Sequence, residues 1–241
     1  MADYQTINPA GTTAQGVNID AGLRAHMNKV YGQMSVALAV SGGVAWAVGT
    51  TPAIYSVLVG SPLIWVFLIA YLIMGFTLPR MIMSLSQPAA QLAFYVFAAL
   101  LGVVLSGIFI RYTQTSIAST FFVTAAAFAG LSLYGYTTKR DLSPIGAFLV
   151  MGMIGLFIAM IVNFFLQSSG LDFAISAIGV LIFAGMTAWD TQKIKVIYLE
   201  HAQNGDADWL GKATIMGAFQ LFMDFINLFL FLLRFMGNNR N

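Results

Sequence analysis

The chain has 241 residues, 59% of them hydrophobic and 8% charged, with a mean hydropathy of +0.82. A soluble domain carries about 25% charged residues, so this composition excludes a water-solvated globule and requires a polytopic membrane protein. A formal net charge of +2 gives no footing for nucleic acid, and the lack of cysteine removes disulfide frameworks, thiolate catalysis and thiolate-bound zinc.

Residues 1–18 are polar and rich in Gly, Thr and Ala, which predicts a mobile cytoplasmic tail ahead of a single transmembrane domain over 19–241. No continuous apolar core of a signal peptide occurs before residue 34, so the first span is expected to be an uncleaved anchor. From Asp20 a short interfacial helix is predicted, with Ile19, Leu23, Val30 and Met34 along one side.

Charge-free intervals then predict seven helices, at 34–50, 62–78, 89–110, 117–136, 145–166, 173–197 and 213–233. Pro79-Arg80 is expected to close the second. Small residues recur at four-residue spacing on the first (Ala39, Gly43, Ala47) and the third (Ala98, Gly102, Ser106), where backbones can approach closely. Asn163 and Gln167, near the end of the fifth, are expected to line a vestibule or to bond between helices.

Lys and Arg set the orientation. With the N-terminus inside, one side collects Arg24, Lys29, Arg80, Lys139, Arg140, Lys193, Lys195 and Lys212, against Arg111, Arg234 and Arg240 on the other. Eight against three places the N-terminus in the cytoplasm and the C-terminus outside.

The last interval, ATIMGAFQLFMDFINLFLFLL, carries a carboxylate near its middle, Asp224. A charge at that depth costs at least about 2.5–3.5 kcal/mol, so it belongs inside a bundle or along a water-filled path. Gly217, Gln220, Asp224 and Asn227 share a face about 100° wide, which Arg234 extends. A second acid, Asp190, ends the sixth interval, on a face with Ser176, Gly179, Phe183 and Thr187. Taken singly, Asp190 has the alternative of pairing with Lys193 at the membrane surface, and Asp224 that of a structural hydrogen-bond acceptor. The short connection makes the sixth and seventh helices antiparallel neighbours. Two facing carboxylates in low dielectric then share a proton and titrate as a unit. Depth is the obstacle. Asp224 lies about 18 Å along its helix from Lys212, so meeting Asp190 needs the sixth helix to run on past that residue, or the seventh to begin before it enters lipid. Arg80 is either a counter-charge or a positive-inside anchor. Asn204-Gly-Asp206-Ala-Asp208 lacks the glycine and terminal glutamate of a calcium loop and reads as a solvated turn.

The stretches SLYGYTTKRDLSPIGAFLVMGMIGL (132–156), AWDTQKI (188–194) and FMDFINLFLFLLR (222–234) together resemble the Bax inhibitor-1 family, the transmembrane Bax inhibitor motif proteins, in a bacterial form. The resemblance implies an all-α bundle of seven transmembrane helices around a central last helix. It implies a pH-sensitive calcium leak channel in the bacterial inner membrane, with the aspartates matching Asp190 and Asp224 as proton sensor and Arg80 as a latch. Gln220, Asn227 and Thr187 are the candidate pore-lining residues. Calcium is expected as the transported ion, with no cofactor and no metal ligands assigned. Two departures stand out. No carboxylate lies in the first five spans, and the tail GNNRN lacks the basic character of some relatives.

The alternative is a regulatory interaction protein of a membrane-bound ATP-dependent protease or another membrane complex, gripped through residues 1–18. A proton-coupled transporter would need a substrate that nothing in the sequence names. An enzyme is not expected, because no nucleophile and base converge in the pattern.

Overall fold

The computed structural model describes residues 9–202 and 206–238. Among them run nine helices: α1 (Pro9–Thr50), α2 (Pro52–Leu58), α3 (Leu63–Ser84), α4 (Gln87–Leu105), α5 (Ile108–Arg111), α6 (Gln114–Thr137), α7 (Ser143–Leu166), α8 (Ser169–His201) and α9 (Ala207–Met236). Seven stretches are long and apolar enough to cross a bilayer: Ala21–Thr50, Leu63–Ser84, Gln87–Arg111, Gln114–Thr137, Ser143–Leu166, Ser169–His201 and Ala207–Met236. The protein is an all-α membrane protein with the seven spans its sequence predicts.

The expected tail divides. Residues 1–8 lie outside the described residues, while Pro9 already begins α1, which continues through the predicted interfacial helix into the first span. The second span does not stop at Pro79. α3 continues to Ser84 with Pro79 inside it, because a missing donor is tolerated where neighbouring helices hold the chain.

α9 is the axis of the bundle. It packs against α8, α1, α6, α4 and α3, while α7 packs against α8 on the periphery. Lipid gives no hydrophobic drive for helix association, so interlocking side chains must hold these contacts. Phe94 and Phe97 of α4 meet Phe219 and Phe222 of α9 edge to face, with ring centroids 5.4–6.3 Å apart. On the opposite side, Phe121 and Phe128 of α6 each stand 5.5 Å from Phe225. A second core joins α8 to α9 and α7, where the Phe183 and Phe231 rings stack at 5.7 Å. The faces of α3 and α7 turned away from these cores carry exposed Trp65, Phe76, Phe148, Met151 and Phe165, as lipid contact requires.

Glycines set the closest approaches. A Cβ on Gly135 of α6 would strike the Ala188 carbonyl of α8, and one on Gly102 of α4 would come within 2.6 Å of the Ser41 carbonyl of α1. The small-residue ladder of α4 therefore packs as predicted. That of α1 is displaced: Ala37, Ser41 and Ala45 are buried, while Ala39, Gly43 and Ala47 are exposed.

The start of the first span and the end of α9 lie at opposite ends of the bundle. Near its start, α1 meets the end of α8 and the start of α9, through His26 against Tyr198 and Thr214. The far end of α9 meets the α5–α6 corner, where Thr113 donates to the Asn238 carbonyl at 3.3 Å.

Candidate functional site

The predicted polar face of α8 is turned inward along its length. Ser176, Gly179, Phe183, Thr187 and Asp190 are all buried. On α9, Gly217 and Asp224 are buried and Gln220 and Asn227 half-buried, while Arg234 is exposed at the end of the stripe. α8 and α9 are joined by a short connection and lie side by side. Asp190, 5% exposed, and Asp224, 4% exposed, come within hydrogen-bonding reach of each other across that seam. The depth obstacle disappears because α8 continues about three turns beyond Asp190, to His201, while α9 begins at Ala207, well before Asp224.

The environments of the two acids differ. Asp190 has a cation on its own helix, with Lys193 Nζ at 3.7 Å from Oδ1. Lys193 also lies over the Trp189 ring at 5.2 Å, which holds its stem against the bundle. Asp224 is deeper, and its Oδ2 atom is buried with no donor from the protein. An orphaned carboxylate oxygen is costly and calls for a specific explanation.

Arg80 is exposed, and among the described residues the ion pairs are Lys193–Asp190, Lys212–Asp208 and Arg234–Asp172. The structure brings Asp190 and Asp224 together and leaves Arg80 apart from both. The cation beside the pair is Lys193.

The remaining candidates mark a line through the bundle. Gln220, one turn from Asp224, borders a small cavity of about 100 Å³ with His26, Ile194, Trp209 and Gly217. Thr187 is buried and donates to the Phe183 carbonyl at 2.8 Å. Asn227, one turn beyond Asp224, donates to the Met223 carbonyl at 2.8 Å and borders a cleft of about 610 Å³ at the far end of α9. Asn163 and Gln167 instead finish α7. Asn163 Oδ1 accepts from the Ser168 N–H at 3.0 Å, and Gln167 takes a left-handed turn at φ 50°. Asp206 caps α9 by accepting from the Trp209 N–H at 3.0 Å, while Asn204 and Gly205 of the same predicted turn lie outside the described residues.

Three groups escape a sequence reading. His26 is buried on α1, with Nδ1 at 3.1 Å from Thr214 Oγ1. Tyr31 Oη lies 2.6 Å from Ser132 Oγ, which lies 2.9 Å from Thr191 Oγ1, and Thr191 donates to the Thr187 carbonyl at 2.7 Å. This clasp ties α1, α6 and α8 together beside Asp190. Its only sequence signal is a hydroxyl next to the acid. In the loop before α7, the Ser143 N–H and hydroxyl hold the exposed Asp141 carboxyl below its ordinary value, so it stays charged through the neutral range and offers no switch there.

Comparison with known proteins fixes the kinship. The family model described as "Inhibitor of apoptosis-promoting Bax1" matches residues 23–241. A protein of Rickettsia prowazekii is 43% identical, the alignment covering 100% of both chains. The inner membrane protein YbhL of Escherichia coli is 46% identical over 91% of this chain and 94% of its own, and YrjE of Lactococcus lactis 41% identical over 90% and 92%.

Proposed function

This chain belongs to the Bax inhibitor-1 family, and on that premise we propose that it is a pH-sensitive cation leak channel, calcium being its cargo, in a bacterial inner membrane. The carrying observation is the pair of buried carboxylates, Asp190 and Asp224, facing each other from adjacent helices at the bundle's axis.

A proton shared between the two carboxyls gives the orphaned Asp224 oxygen a hydrogen-bonding role and leaves one negative charge on the pair, opposite Lys193. Loss of that proton puts two like charges in contact inside the bundle, and α8 and α9 relieve the repulsion by shifting apart or by recruiting a cation. Arg80 on α3 is the latch this reading assigns to the ionised state. The ion's route runs past Gln220, the aspartate pair, Thr187 and Asn227. For protonation to act as a switch, its coupling to the open state must reach several kcal/mol, since moving a population from 1:99 to 99:1 takes about 5.5 kcal/mol. Inner-membrane residence, with the N-terminus cytoplasmic and the C-terminus outside, rests on the name of YbhL and on the bias of Lys and Arg.

The test is calcium flux into liposomes holding a calcium dye, compared between about pH 6 and 8 for the natural chain, Asp190→Asn and Asp224→Asn. The pH response should flatten in both variants. Flux that follows the same pH curve in all three proteins removes the pair as sensor.

A second reading, regulation of a membrane-bound ATP-dependent protease through its N-terminal segment, is favoured by one observation. α1 begins at Pro9, and its first residues, PAGTTAQGVNID, are too polar for the hydrocarbon core, so they extend the helix outside the bilayer.

A further inference from the structure

Among the described residues, Arg111 and Arg234 are the basic side chains at the far end of the bundle, and both border one cleft. They come from distant parts of the chain. Arg111 ends α5 and Arg234 lies in the last turn of α9. The two ends are tied by the Thr113–Asn238 backbone bond and by the Asn238 N–H donating to Ser116 Oγ at 3.0 Å. We propose that this cleft holds one anionic glycerophospholipid, its phosphate between Arg111 and Arg234 and one acyl chain lying along the apolar wall beyond them.

Charge sets the sign of the occupant. Asp172 of α8 reaches Arg234 Nε at 3.4 Å, while Arg111 rests over the Tyr112 ring at 5.7 Å and forms no ion pair among the described residues. Among the described residues, two guanidinium groups against one carboxylate leave a net positive mouth. Guanidinium forks fit phosphate oxygens in a bidentate way.

Shape sets the rest of the occupant. Past the arginines the cleft, of about 610 Å³, is walled by Ile108, Met153, Phe157, Met160 and Leu230, with Asn227 and Tyr112 also among its borders. A soluble anion has no use for such a wall, whereas an acyl chain does. Phe157 and Met160 are exposed on α7, so the cleft opens sideways to the bilayer and the second chain stays in the surrounding lipid. The proposal goes beyond the leak reading and does not need it, because the readout is binding rather than flux.

The experiment adds palmitoyl-oleoyl-phosphatidylglycerol to the purified protein in detergent and reads retained lipid by native mass spectrometry and stabilisation by thermal unfolding. Phosphatidylcholine of the same chains and free glycerol 3-phosphate are run beside it. The natural chain should keep one phosphatidylglycerol and neither of the other two. R111Q/R234Q should weaken retention by about tenfold or more, and R111K/R234K should recover part of it. M160W fills the chain-binding wall without touching charge and should also lose the lipid, so it decides the matter if the double glutamine variant does not fold. K139Q/R140Q, in the loop before α7, should bind as the natural chain does. Equal retention of phosphatidylcholine, competition by glycerol 3-phosphate alone, or undiminished binding by folded R111Q/R234Q or by M160W overturns the proposal.

Discussion

Lys193 Nζ stands 3.7 Å from Asp190 Oδ1, so the acid that faces Asp224 across the seam faces a cation on its own helix. The lysine side chain is 39% exposed, and water screens much of the attraction. Its effect is still signed. Lys193 favours the charged state of the pair, and its removal makes protonation easier. Lys193→Gln should therefore move the midpoint of the pH-dependent flux upward, by about half a unit. Lys193→Arg should hold it in place. A midpoint that stays put or falls in the glutamine variant removes Lys193 from the sensor.

Tyr31 closes the clasp across α1, α6 and α8, and its hydroxyl is the one group α1 contributes to it. Tyr31→Phe keeps the ring and deletes that bond, at a cost of about 1 kcal/mol. Thermal unfolding in detergent should show a drop of about 2–4 °C. A hydroxyl bonded only to water would give no drop, and that result would show the clasp to be without weight in the membrane domain.

Much of this architecture is legible in the sequence, because lipid leaves few choices. Charge-free intervals give seven spans, and a carboxylate in the last demands burial, while the place of α9 at the axis is what the family resemblance implies. The inward face of α8 follows from helical spacing alone. What fails is whatever depends on a partner's position. The ladders Ala37–Ser41–Ala45 and Ala39–Gly43–Ala47 have the same period, and only the place of α4 decides that the first packs and the second faces outward. Pro79 reads as a stop by the rules of water, where its missing donor and its clash with the preceding turn are costly, yet α3 continues through it. His26 is a lone histidine in a polar stretch of sequence, and its burial comes from Tyr198 and Thr214, both more than a hundred residues away.

Gly135 tests the closest helix contact near the pair. A Cβ there would meet the Ala188 carbonyl carbon at 2.9 Å and its Cα at 3.0 Å, so α6 and α8 would have to separate next to Asp190. Gly135→Ala should destabilise by about 1–3 kcal/mol. Gly130→Ala is the internal control. It lies on the same helix with nothing within 4 Å of a new Cβ, and should be neutral or slightly stabilising through helix propensity. Equal melting temperatures for the two variants would mean that α6 and α8 do not approach as closely as the structure has them.

The two proposed roles make opposite use of the N-terminal segment. A leak pathway through the seven spans draws nothing from residues 2–18, because that segment is polar and precedes the apolar interval at 34–50, and the aspartates sit on α8 and α9. A regulator of a membrane protease would be gripped through that segment, since an ATP-dependent enzyme engages chain that extends outside the bilayer. Deleting residues 2–18 should thus leave the liposome flux and its pH midpoint unchanged while abolishing any effect on the protease reconstituted beside it. Loss of flux in the truncated chain would assign the helical extension to the conduction path or to its closed state. An intact protease effect would move any partner contact onto the bundle itself.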